Sequence, residues 1–103
     1  MNKALFKKWL IEVRGLKESA TGFRVSNCST IEKVYGNLEE HYYLDGCKAI
    51  LSQLKYTKKD ERENIEKRHL IDIDGNIYNG TSTLKQALSR YIEFMNDKTN
   101  YYV

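Results

Sequence analysis

The sequence predicts a mainly α fold: a compact helical domain of four to five helices with one small β-hairpin near residues 69–80. Three observations point there. Apolar residues recur at helical spacing through most of the chain, proline is absent, and strict apolar–polar alternation is confined to the stretch around His69–Gly80. A length of 103 residues corresponds to one domain, residues 1–103. Such a chain can bury roughly two-thirds of the surface it exposes when unfolded. With 41% hydrophobic and 30% charged residues, the composition is globular rather than disordered.

The elements follow in order. Met1 or Asn2 opens a first helix through about Val13, with Leu5, Phe6, Trp9, Leu10 and Val13 on one face. Gly15 ends it. A second helix runs from about Lys17 to Tyr35 and stops at Gly36. At 100° per residue its apolar arc takes in Leu16, Ala20, Phe23, Cys28, Ile31, Val34 and Tyr35. Asn37 suits the cap of a short helix over Leu38–Tyr43, and Asp45 the cap of another with Cys47, Ile50, Leu51 and Leu54 inward. Lys55–Arg68 is the most polar segment, either a loop or one or two helical turns started by Thr57. The alternation of residues 69–80, broken by Asp74-Gly75, reads as the hairpin. Thr81 or Ser82 caps a last helix to about Asn96, with Leu84, Ala87, Leu88, Tyr91, Ile92, Phe94 and Met95 inward. Lys85, Gln86, Ser89, Arg90 and Glu93 lie opposite and read as its solvated side. Tyr101 and Tyr102 trail behind it.

The second helix breaks its own pattern. Arg24 and Asn27 fall inside the apolar arc, while Val25 falls outside it. Two explanations fit. Asn27 bonds backbone of a neighbouring segment, and Arg24 lays its stem on the core and pairs with Glu39, Asp72 or Asp74. Alternatively, Arg24 emerges at the edge of the arc and meets phosphate.

Several classes of chemistry lack their residues. No glycine-rich phosphate loop, nucleophile elbow or HExxH motif is present, and His41 and His69 have no catalytic surroundings in sequence. The chain is therefore expected not to be an enzyme. His41 and Cys47 stand six apart without a second ligand pair, so no metal or other cofactor is expected. Asp72-x-Asp74-Gly75-Asn76 begins like a calcium loop, but the distal glutamate is missing. Cys28 and Cys47 read as reduced and structural. No membrane-length apolar run and no signal-type N-terminus are seen, which places the protein in the cytoplasm as an expectation. The eight tyrosines suit a contact surface or, more plainly, close a small core with hydroxyls outward.

Charge distribution says more than the net value of +3. Residues 1–35 carry seven basic groups against three acids, whereas residues 36–66 carry five against seven. The positive field belongs to the first third. Lys3, Lys7 and Arg14 share a stripe beside the first apolar face, either a solvated flank or an anion-facing ridge.

The order Phe6-x-x-Trp9-Leu10, Gly15-Leu16-Lys17-Glu18-Ser19 and Arg24-Val25-Ser26-Asn27-Cys28 carries a resemblance. So do His69-x-Ile71-x-Ile73-Asp74-Gly75-Asn76 and the following Leu84–Phe94 pattern. Over about residues 4–95 the chain resembles the small N-terminal module found ahead of HNH-type and other restriction-like nuclease domains in bacterial proteins. More distantly, its first part is similar to the helical core-binding domain of tyrosine recombinases, which clasps DNA backbone. Here Lys17, Ala20 and Arg24 stand at that family's serine, threonine and tyrosine positions.

The resemblance implies a DNA-binding accessory or targeting module of a restriction or nuclease-type system, without its blade. Lys3, Lys7, Arg14, Lys17 and Arg24 would contact phosphates, with Ser19, Ser26 and Asn27 as polar supplements. The mild basicity implies weak, salt-sensitive binding. The alternative is a protein-interaction domain: self-association, docking on a nuclease, or an adaptor or inhibitor in phage–host conflict.

Overall fold

A computed structural model describes the backbone of residues 1–101 and the side chains of residues 1–97. Six helices follow one another among the described residues: α1 (Lys3–Glu12), α2 (Glu18–Tyr35), α3 (Leu38–Asp45), α4 (Lys48–Gln53), α5 (Lys58–Arg62) and α6 (Ile77–Tyr101). The fold is mainly helical, as the spacing predicts. No helix is long and apolar enough to cross a membrane among the described residues.

Polar side chains set the starts. Asn2 Oδ1 accepts the Leu5 N–H at 3.1 Å and opens α1, and Asn37 Oδ1 accepts the Glu39 N–H at 2.8 Å and opens α3. Thr57 and Asp60 exchange side-chain-to-backbone bonds in a capping box. That exchange turns the polar stretch after Lys55 into α5, because two otherwise unpaired N–H groups are satisfied at once. Gly36, at φ 92°, stops α2.

The core is built where α2 packs along α6 and α1 rests on both. Phe6 meets Tyr91 edge-on at 5.4 Å between ring centroids, and Trp9 meets Phe94 at 5.8 Å. The Trp9 indole N–H donates to Asp97 Oδ2 at 2.8 Å and ties α1 to α6. Val13, expected on the inner face of α1, is 44% exposed, because it lies past the last turn as the C-cap.

Two expectations are corrected. The hairpin near residues 69–80 does not form, and no strand occurs among the described residues. The alternation of Ile71 and Ile73 does point them at the core, but no second strand pairs with that segment. Ile77–Gly80 is instead the first turn of α6, since Asn76 Oδ1 accepts the Asn79 N–H at 2.9 Å and the Gly80 N–H reaches the Asn76 carbonyl at 2.9 Å. The last helix thus starts before Thr81 and Ser82. Thr81 is buried, its Oγ1 2.8 Å from His69 Nε2. Gly80 sits where Ile73 crosses the helix, and a Cβ there would lie 2.5 Å from Ile73 Cγ2. Tyr101 continues α6, and Tyr102 lies outside the described residues.

The second correction is the phase of α2. Phe23 is 70% exposed and Val34 42%, while Thr21 is fully buried and Val25 packs on the core. The buried residues of α2 are Thr21, Cys28 and Ile31, with Arg24, Val25 and Tyr35 half-buried, so the inner face keeps the Cys28, Ile31 and Tyr35 part of the expected arc and turns away from Phe23 and Val34.

The tyrosines act mostly as struts. The Tyr35 hydroxyl donates to Gln53 Oε1 at 2.6 Å and accepts the Leu70 N–H at 2.9 Å. Tyr42 donates to Asn96 and Tyr56 to the Ile65 carbonyl, each at 2.5 Å. Tyr91 departs from the expected outward hydroxyl: it is fully buried, and its oxygen has no hydrogen-bond partner among the described residues.

Candidate nucleic-acid interface

Arg24 leaves the centre of α2's inner face and runs along the seam with α6. Its stem is half-buried, and its Nε is enclosed without a hydrogen-bond partner among the described residues. The head opens into a surface pocket of about 350 Å³, walled by Ser82, Lys85, Gln86, Ser89 and Arg90 of α6. None of the expected carboxylates, Glu39, Asp72 or Asp74, lines it, and no ion pair holds Arg24 among the described residues. A guanidinium kept among cations and hydroxyls remains available to an anion, because its fork of donors has no internal acceptor. The charge of Arg24 reaches the Cys28 thiol one turn on. Burial nonetheless dominates there, with Glu32 and Cys47 adding to it, and pushes that thiol up to about 12.

Arg90 donates to both carboxylate oxygens of Glu93 at 3.0 Å, and the same Glu93 stands 3.8 Å from Arg14 Nε. Arg14, distant in sequence, thereby joins the edge of the Arg24 pocket. Glu93 thus partners Arg14 and Arg90, while Arg24 and Lys85 line the pocket beside Arg90 with no carboxylate in its wall, leaving a local excess of positive charge.

The other residues singled out in the sequence are spread more widely. Lys7 pairs with Glu18 at 3.6 Å. Lys3, Lys17 and Ser19 are exposed, at the start of α1 and around the start of α2. Ser26 is exposed, and its carbonyl accepts the Thr30 hydroxyl at 3.2 Å. Asn27 points elsewhere, into a shallow pocket beside Ile71, Asp72, Ile73 and Asp74. It lies against the segment expected to hold it, yet forms no hydrogen bond with it among the described residues.

Lys85, Ser89 and Arg90, which the sequence places opposite the apolar face of the last helix, line the Arg24 pocket. Their i, i+4 and i, i+5 spacing was legible; their meeting with Arg24 was not. Among the described residues, no group of three or more His, Cys, Asp or Glu side chains is placed to hold a metal ion. No family model, curated protein or solved structure matches this chain.

Proposed function

We propose that the chain is a DNA-binding accessory or targeting module of a restriction or nuclease-type system in the bacterial cytoplasm, without catalytic activity of its own. The observation that carries this is the Arg24 pocket: a half-buried arginine, its Nε enclosed, with no carboxylate in the pocket wall and with Lys85 and Arg90 among hydroxyl groups around it. Phosphate contacts of this kind supply affinity without reading sequence. The likeness to modules ahead of restriction-like nucleases supports the same reading, which extends to a role in phage defence alongside a nuclease partner.

Fluorescence anisotropy with labelled DNA at rising salt tests it. Binding should weaken linearly in log salt, with a slope of about −0.7 to −0.9 per phosphate contacted. Arg24→Gln and Lys85→Gln should each flatten that slope by about one such increment. Binding indifferent to both substitutions, or absent at low salt, refutes the proposal. Lys7→Gln should matter less, because Glu18 already partners Lys7.

A second reading is a protein-interaction domain. Leu44 is 80% exposed and Tyr43 70%, side by side on α3, and Phe23 is 70% exposed on α2. Exposed apolar groups of this size suit a protein contact. Light scattering on the chain and on Leu44→Ser tests self-association directly; a monomer in both removes the homomeric version.

A further inference from the structure

The Arg24 pocket does not end at Lys85. Ser82 and Lys85 also wall a second pocket, of about 440 Å³, on the other side of the same α6 stripe. This neighbour is closed by Tyr56, Lys55 and Lys58 from the chain before and within α5, and by Tyr78 from the first turn of α6. Tyr78, Ser82, Lys85 and Ser89 recur at i, i+4, i+7 and i+11, so one helix face carries the floor of both pockets. From Tyr78 to Ser89 the stripe is about 16 Å long.

Its composition is selective. Five cations line the two pockets together (Arg24, Arg90, Lys85, Lys55 and Lys58), and no carboxylate lines either. The chain has 14 acidic residues against 17 basic ones, so a general surplus of cations does not explain their exclusion from one groove. The two halves also differ in chemistry. The Arg24 half is polar and cationic. The Tyr half adds aromatic surface: Lys58 Nζ lies 4.5 Å from the centroid of the Tyr78 ring and covers that face with an exposed, displaceable side chain. Tyr56 is held by its hydroxyl on the Ile65 carbonyl and makes a fixed wall.

Alternating cation and aromatic surface along a groove matches a strand whose bases are free to stack, since every base has a π-face and every linkage a phosphate. A paired duplex offers no base face to such a pocket. We infer that the groove takes a single DNA strand, seating one unpaired base against Tyr78 and Tyr56 and holding the adjoining phosphate with Lys85 and Arg24. This rests on the DNA-binding reading and adds the form of DNA and the place of the base. Lys58 leaves the Tyr78 ring when the base arrives and turns to the next phosphate.

Three fluorescein-labelled probes of about 12 nucleotides or base pairs test it by anisotropy: oligothymidylate, an abasic strand of equal length, and a duplex. Oligothymidylate should bind tightest, with a log–log salt slope of up to about −2.8 if the four cations other than Arg90, which Glu93 holds, meet phosphates. The abasic strand should bind roughly 5- to 100-fold more weakly, the range base–aromatic stacking supplies. Tyr78→Leu, which keeps apolar bulk in the first turn of α6, should weaken oligothymidylate towards the abasic value and leave abasic binding unchanged. Arg24→Gln should weaken both strands. Equal, salt-dependent binding of thymidylate and abasic strands overturns the base pocket and leaves the DNA-binding reading standing, as does tighter binding of the duplex. No binding of any probe at low salt overturns both.

Discussion

Glycine-to-alanine substitution inside two helices should have opposite signs at Gly22 and Gly80. Both glycines lie within helices, α2 and α6, and neither has a positive φ. In a helix interior alanine is favoured over glycine by about 0.8–1.0 kcal/mol, because glycine loses more backbone freedom on folding. At Gly22 a Cβ meets nothing within 4 Å, so Gly22→Ala should realise most of that gain. At Gly80 the new Cβ would lie 2.5 Å from Ile73 Cγ2 and 3.2 Å from its Cδ1. Ordinary carbon contacts need about 3.5 Å or more, so Ile73 must retreat by about 1 Å. Overpacking of this kind costs about 1–3 kcal/mol, which offsets the helix gain and leaves Gly80→Ala destabilised by up to about 2 kcal/mol. For a domain of this size each kcal/mol moves the melting temperature by roughly 4–8 °C. Circular dichroism melts and urea titrations of the two variants read the difference. In an Ile73→Ala background the clash is gone, and Gly80→Ala should turn neutral or stabilising. If Gly80→Ala raises stability as much as Gly22→Ala with Ile73 intact, the crossing of Ile73 over α6 is wrong.

Three further outcomes follow from the same packing. Burial, with Lys67 beside it, holds His69 below its ordinary value, against a smaller opposing effect of hydrogen bonding to the Ile71 backbone. The unfolded chain therefore binds the proton first, so this group's contribution to stability is complete above about pH 6.5 and is lost as pH falls towards its folded value; His69→Gln should flatten the urea midpoint across that window, and an unchanged profile counts against the assignment. Burial pushes the Cys28 thiol up to about 12 and, with Asp45 adding to it, the Cys47 thiol to about 11; a thiol reagent at neutral pH should label neither until urea unfolds the chain, and rapid labelling of the native protein contradicts their burial. Trp9→Phe keeps the ring in the aromatic cluster but removes the bond to Asp97, and should cost about 1.5–3 kcal/mol by urea titration; no loss means that the tie between α1 and α6 carries no weight.

The sequence was most legible where one residue states its role locally. Asn2, Asn37 and Thr57 are caps because a short polar side chain can reach an N–H two or three residues on. The inner stripe of α6 was readable for the same kind of reason: Leu84, Ala87, Leu88, Tyr91, Phe94 and Met95 repeat at helical spacing, and all are buried. The segment 69–80 misled because period-two alternation describes any extended chain that lies on a core, with or without a partner strand. Asn76 decided the matter by capping α6.

By itself, the sequence determined that this chain is mainly helical, where most helices begin and end, and which face of α6 is buried. Those are local properties of caps, glycines and periodicity. Only the tertiary structure decided the rotation of α2. That helix has apolar residues on several sides, so its inner face is selected by what α1 and α6 present to it. The choice turned Phe23 outward and set Arg24 half-buried in the seam with α6. It also brought Arg24 to Lys85 and Arg90, about sixty residues away, and Arg14 to Glu93. A cation that meets other cations across a helix seam leaves no trace in either helix read alone, because each charge is ordinary in its own segment and only their convergence makes a groove.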